Sequence, residues 1–270
     1  MGKNILLPLL LNSEWDKAVK CVRADNDRAR KWIVTQSFTG NISKTEILPI
    51  HQACSTADVK FNIIETLALV HPNSLLLRES GTLRTPLHIA MRARVSDEII
   101  AFLMKKCPKA ISMMDALGRI PLHYACSNAV PTATINRLIW SCPESVGASD
   151  NLGWTPLHVA SSLYQTSDVV QTMVNACPEA VFLITSKGSS SYTVAQVNPS
   201  SAKQMISEIL TKVELEFLKM PAFLNIRAAE MRMQISEKKG GSKICTSDLR
   251  AKKTWGVRKR VRSNSIRGVV

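Results

Sequence analysis

The chain has 270 residues, 45% of them apolar, and a mean hydropathy of +0.01, the balance of an ordinary globular domain. No stretch approaches the roughly 18 consecutive apolar residues of a membrane-spanning helix. The formal net charge is +14, and the seven cysteines include no C-x-x-C pair, which speaks against a structural zinc site and, the number being odd, against a closed disulfide framework.

The first apolar run, Ile5 to Leu11, lies at the short limit of a signal-peptide core. It has no A-x-A-like cleavage site and passes directly into Ser13-Glu14-Trp15, so it reads as a helix rather than a leader. Gly2 is a weak myristoylation candidate, because Leu6 stands where Ser or Thr is wanted. Leu7-Pro8-Leu9-Leu10 and the run from Ser13 to Val22 predict a first helix pair. The polar stretch from Gln36 to Lys44 predicts a long loop after it.

A tetrapeptide then returns four times: Leu48-Pro49-Ile50-His51, Thr85-Pro86-Leu87-His88, Ile120-Pro121-Leu122-His123 and Thr155-Pro156-Leu157-His158. Its prolines are spaced by 37, 35 and 35 residues, and Ala53, Ala90, Ala125 and Ala160 follow each His by two positions. Each motif predicts the start of a short helix, because Pro suits a first turn where its missing N–H is not needed. Thr85 and Thr155 can cap their helices through the hydroxyl, whereas Ile120 and Leu48 cannot. A second mark follows each motif: His71-Pro72, Cys107-Pro108, Cys142-Pro143 and Cys177-Pro178. It predicts the stop of a second helix, since the residue before Pro is pushed out of the α region. A fixed period in this range marks a solenoid of stacked units.

The repeated T-P-L-H-x-A pattern resembles the ankyrin repeat. These units are two residues longer than its usual 33 and leave the second helix through Pro instead of Gly. The resemblance implies an all-α ankyrin-repeat solenoid of stacked helix-turn-helix units. It places four clear repeats over about 38–178, an N-terminal cap over about 2–34 and a C-terminal cap over about 188–220, together residues 1–220. In that second cap Ser191-Tyr192-Thr193-Val194-Ala195 has lost the Pro and His, and Gln204 to Met220 supplies the last helix. Solenoids need such atypical ends to cover the stack.

The resemblance also implies a non-catalytic protein that binds a protein partner along a concave groove of turn fingers and first helices. The motif histidines tie neighbouring turns together in such repeats, and no cofactor or metal is expected. Asp150-Asn151-Leu152-Gly153-Trp154-Thr155 fits the finger pattern, and Asp115 to Ile120 fits it in part. Asp forms an Asx-turn there and Gly takes positive φ. The finger before Thr85 departs, with Leu83 at the Gly position. Trp154 is either the expected anchor or a residue that folds back on the adjacent finger as packing, with Leu152, Asn151, Arg119 and Leu117 on the fingers and Arg92, Asn128, Ser162 and Leu163 on the first helices. Trp and Arg are frequent interface hot spots. The equivalent cysteines Cys107, Cys142 and Cys177 read as free thiols, since helices packed roughly 8–10 Å apart exceed the reach of a disulfide. The sequence contains no G-x-S-x-G, P-loop or H-E-x-x-H motif.

Residues 221–236 carry Leu224, Ala228, Met231 and Ile235 at helical spacing, which predicts an amphipathic helix. From Glu237 to Val270 the chain has 11 Lys or Arg against 2 Asp or Glu, a balance of +9. This composition predicts a disordered basic tail over 237–270. Arg258, Lys259, Arg260 and Arg262 form a basic patch of the nuclear-localisation or nucleic-acid type. Ser263 and Ser265 each have Arg three residues upstream, a spacing similar to basophilic kinase sites. The expected protein is a monomeric scaffold or adaptor of the cytoplasm, the nucleus or both. The alternatives are a nucleic-acid-associated factor driven by the tail, with weak contact to nucleic acid or anionic surfaces, and an accessory or inhibitory subunit of an enzyme complex.

Overall fold

In a computed structural model of the chain, the described residues are 5–36, 38, 44–128, 130–163 and 165–219. The chain divides into two compact units, Met1–Phe217 and Leu218–Val270. The expected amphipathic helix over 221–236 and the basic tail over 237–270 lie outside the described residues.

Among the described residues, twelve α-helices alternate between an inner and an outer row. The inner row is α1 (Leu6–Leu11), α3 (Pro49–Cys54), α5 (Pro86–Ala93), α7 (Pro121–Ser127), α9 (Pro156–Ser162) and α11 (Ser191–Ala195). The outer row is α2 (Trp15–Ala24), α4 (Phe61–Val70), α6 (Asp97–Lys106), α8 (Thr132–Ser141), α10 (Ser167–Ala176) and α12 (Lys203–Leu218). Each inner helix packs on the next inner helix, and α2, α4, α6, α8 and α10 pack in series. This is the all-α solenoid that the period predicts.

The motif residues explain the stacking. Each of the four repeat helices begins at its proline. Ala53, Ala90, Ala125 and Ala160 are 0% exposed, so only a methyl group fits where neighbouring helices meet. Leu48 and Ile120, which lack the capping hydroxyl, are themselves buried, and that burial offsets the lost cap. One continuous core runs from Leu6 and Leu10 to Ile206 and Leu210, so both end pairs join it.

The second proline mark acts as expected and in the same way each time. His71, Cys107, Cys142 and Cys177 all leave the helix with φ between −135° and −154° and ψ between 74° and 79°. The proline then opens a short 3-10 turn: Pro72–Leu75, Pro108–Ser112, Pro143–Gly147 and Pro178–Phe182. The six described cysteines are free thiols. Burial pushes the Cys54 thiol up to about 12 and raises that of Cys126 too, which removes both as nucleophiles.

The expected long loop is flanked by structure that helical periodicity does not announce. Strands β1 (Ile33–Thr35) and β2 (Thr45–Ile47) pair antiparallel, with Ile33 opposite Ile47 and Val34 opposite Glu46. Ile33 and Ile47 are buried while Val34 and Glu46 are exposed, the alternation of a strand pair with one face on a core.

Candidate functional site

The fingers are built from the residue pattern upward. Asp115 Oδ1 accepts the N–H groups of Leu117 and Arg119 at 2.8 and 2.9 Å. Asp150 Oδ1 accepts those of Leu152 and Trp154, both at 2.9 Å. Gly118 and Gly153 take φ +76°, as the pattern requires. A Cβ on Gly153 would also lie 2.9 Å from the Ser186 nitrogen, so glycine is needed there for the approach of the next finger as well. The fingers are laced tip to tip by backbone bonds. Ala116 N–H donates to Thr82 C=O, Asn151 N–H to Leu117 C=O and Ser186 N–H to Leu152 C=O, each at 2.9 Å.

The departing finger before Thr85 solves the same problem with different residues. Glu79 replaces Asp and is 1% exposed. Its carboxylate accepts the N–H groups of Gly81, Thr82 and Arg84 and the Thr82 hydroxyl. The loop is one residue longer, closing from Glu79 N–H to Arg84 C=O, where Asp115 N–H closes to Arg119 C=O. Leu83 takes the left-handed conformation at φ +57°, which a residue with a Cβ adopts at a cost of about 1–2 kcal/mol.

The motif histidines bind the turns as the resemblance implies. Each Nδ1 accepts the N–H of the residue before its proline: Leu48 at 3.0 Å, Thr85 at 3.3 Å, Ile120 at 3.2 Å and Thr155 at 3.3 Å. That fixes the tautomer with the proton on Nε2, which donates to a backbone carbonyl of the next repeat: Leu77, Arg119, Trp154 and Ser189 respectively. The rings are neutral by design, since a proton on Nδ1 would face an N–H. Burial holds His51 and His88 down to about 4 from the ordinary 6.5 and lowers His123 and His158 as well. Thr155 caps as expected, accepting the His158 N–H at 3.3 Å. The Thr85 and Thr155 hydroxyls also bond Nδ1 of His88 and His158, each at 2.8 Å.

The expected contact residues fall into two groups. Leu117 and Leu152 are 47% and 58% exposed at the finger tips, and Asn151 is exposed while its amide donates to Ala116 C=O at 3.1 Å. Arg119 and Trp154 are both half-buried. Arg119 Nε pairs with the buried Asp150 carboxylate at 3.2 Å. Arg84, one repeat earlier, lies 3.7 Å from Asp115 in the same relation. Trp154 occupies the third of these equivalent positions, but the position equivalent to Asp150 one finger on holds Thr185 and not Asp. Its ring lies against His158 instead, with centroids 6.0 Å apart. Trp154 is therefore not a free finger-tip aromatic. Arg92, Asn128, Ser162 and Leu163 are half-buried at the ends of their inner helices. Asn128 Nδ2 donates to the Tyr124 carbonyl at 2.8 Å and Ser162 Oγ to the Val159 carbonyl at 3.1 Å, so part of their polarity serves the helix end. The patch at Arg258, Lys259, Arg260 and Arg262, and Ser263 and Ser265, lie outside the described residues.

Sequence reasoning missed a buried polar cluster that ties the base of the Asp115 finger to α7. Tyr124 donates its hydroxyl hydrogen to Asp115 Oδ2 at 2.5 Å and accepts from Arg84 Nε at 3.1 Å, with the Arg84 guanidinium 5.0 Å from the ring centre. Burial, and then the Asp115 hydrogen bond, raise the Tyr124 phenol. The available signal was the Arg84–Arg119–Trp154 series, which shares one repeat position. Among the described residues, no group of three or more His, Cys, Asp or Glu side chains could hold a metal ion.

The profile of the ankyrin-repeat family matches residues 87–187 in three copies. Over those residues the chain carries ankyrin repeats. The match covers α5 to α10 and the finger at Lys187, the most regular stretch of the array. Ankyrin repeats generally mediate protein–protein contacts and are typically non-catalytic. No curated protein matches the chain. Among the described residues, no helix is long and apolar enough to cross a membrane.

Proposed function

We propose that the chain is a non-catalytic scaffold whose ankyrin groove binds a protein partner through the finger tips. The observation that carries this reading is the pair Leu117 and Leu152. Both are large apolar side chains about half exposed, yet they stand on fingers that the Asp115 and Asp150 turns and the interfinger bonds hold rigid. Apolar groups already ordered before contact lose little entropy on binding. Arg92 and Arg119 border the same groove, and Trp154 supports the finger rather than anchoring the partner. In this reading the basic segment from Arg258 to Arg262 directs the chain to the nucleus or an acidic surface, and the chain acts as a monomer in the cytoplasm, the nucleus or both.

The test is affinity capture with the full chain and a Leu117→Asp/Leu152→Asp variant of equal melting temperature. Partners of the groove are lost from the double variant and kept by a variant with Arg258, Lys259, Arg260 and Arg262 changed to Ala. Partners that survive the first change and vanish with the second would transfer the function to the tail.

A further inference from the structure

The outer row of helices is not uniform. Between α4 and α6, Phe61 and Phe102 meet edge to face with centroids 5.2 Å apart. One repeat later the same two positions hold Asp97 and Arg137, paired at 3.0 Å, and Thr134 also donates its hydroxyl to Asp97. The ion pair draws the Arg137 head toward the first turn of α6. Below it the facing side chains are small, Ala101 and Ser141, and the space is not filled. A cleft of about 350 Å³ opens there between α6 and α8, floored by Met104, Pro108 and Ile111.

That volume lies at the low end for ligand sites, so it fits one bulky apolar side chain rather than a whole cofactor. The surroundings are cationic. α6, α8 and the turns that follow them carry Lys105, Lys106, Lys109 and Arg137 against Asp97, Glu98 and Glu144, with Arg137 already paired to Asp97. Asp97 and Glu98 sit in the first turn of α6 and Glu144 lies beside Cys142, whereas Lys105 lines the cleft itself and Lys106 and Lys109 follow it in the chain. Trp140, next in the chain to the cleft-lining Ser141, is 72% exposed on α8. Aromatic residues next to an apolar pocket are typical anchors of interfaces.

We propose that this outer cleft is a second docking site, for an extended acidic peptide segment. One bulky apolar side chain of the segment sits on Met104, Pro108 and Ile111. Its carboxylates meet Lys105 and Lys109, and its backbone crosses Trp140. The site lies on the outer row of helices, independent of the finger groove.

The probe is a fluorescein-labelled peptide, Glu-Asp-Glu-Phe-Glu-Asp-Glu, titrated with the full chain and read by anisotropy. Saturable binding is expected, weakened at least about tenfold by Lys105→Glu through reversed charge and equally by Ala101→Phe, which fills the cleft. Lys105 is exposed, so its variant keeps the test valid if Ala101→Phe fails to fold. Leu152→Asp leaves this binding unchanged, which separates it from the groove. The proposal is overturned if no binding occurs, or if Lys105→Glu binds as the original chain does. It is equally overturned if a peptide with Ala in place of Phe binds as well, if Leu152→Asp abolishes binding, or if changing Arg258, Lys259, Arg260 and Arg262 to Ala does.

Discussion

The inner and outer rows of the array are joined by different chemistry. Along the inner row the links between repeats satisfy backbone groups: the histidine bonds and the finger-to-finger bonds recur from step to step, and carboxylates at Glu79, Asp115 and Asp150 close the turns. Along the outer row the links are side chain to side chain and change from step to step, from the Phe61–Phe102 pair to the Asp97–Arg137 pair. A buried backbone group left unpaired is costly wherever it occurs, so the inner row has few acceptable solutions. The outer row needs only filled space or solvated charge, and there the sequence varies freely.

The largest test of this contrast is pH. Each motif histidine has its folded value held below the ordinary 6.5, His51 and His88 down to about 4, so below about 6.5 the unfolded chain takes up protons that the folded chain refuses. The stabilisation is present above about 6.5 and is lost as pH falls toward 4, at up to about 1.4 kcal/mol per pH unit for each fully suppressed ring. Denaturant midpoints measured from pH 7 to 4.5 should fall with a slope of more than one proton. A flat profile would break the assignment of the inner row to neutral histidines.

Next in size is His123→Ala. It removes the partners of the Ile120 N–H and the Trp154 carbonyl together, and should cost about 2–4 kcal/mol in equilibrium unfolding. Asp97→Ala in the outer row is the matched control. Both side chains of its ion pair are about 40% exposed, so the loss should be about 1 kcal/mol, most of it from the stranded Thr134 hydroxyl. Equal losses from the two variants would erase the distinction between the rows.

The smallest expected effect has the opposite sign. Leu83→Gly relieves the left-handed backbone of the irregular finger and should raise stability by up to about 1 kcal/mol. A thermal melt checks it. Destabilisation would mean that the half-exposed Leu83 side chain supports the groove more than its backbone strains it.

The repeat period, both proline marks and the finger glycines were legible in the chain, because each reflects a local backbone demand: a first helical turn, a helix exit, a positive φ. The histidine bonds were legible only through the family resemblance, since their carbonyl partners lie 26 or 31 residues away. The roles of Arg119 and Trp154 were not. Both look like exposed hot spots beside a turn, and only the neighbouring finger decides that one meets Asp150 and the other has no carboxylate to meet. The β1–β2 pairing escaped because strands of three residues carry too little alternation to read. The outer cleft escaped for a related reason. A cavity is a property of two helices at once, and nothing in α8 alone says that Arg137 turns toward Asp97 and leaves the space beneath it empty. What the sequence determined by itself is what each backbone segment needs. What the tertiary structure decided is which side chains, one repeat apart, come to face each other.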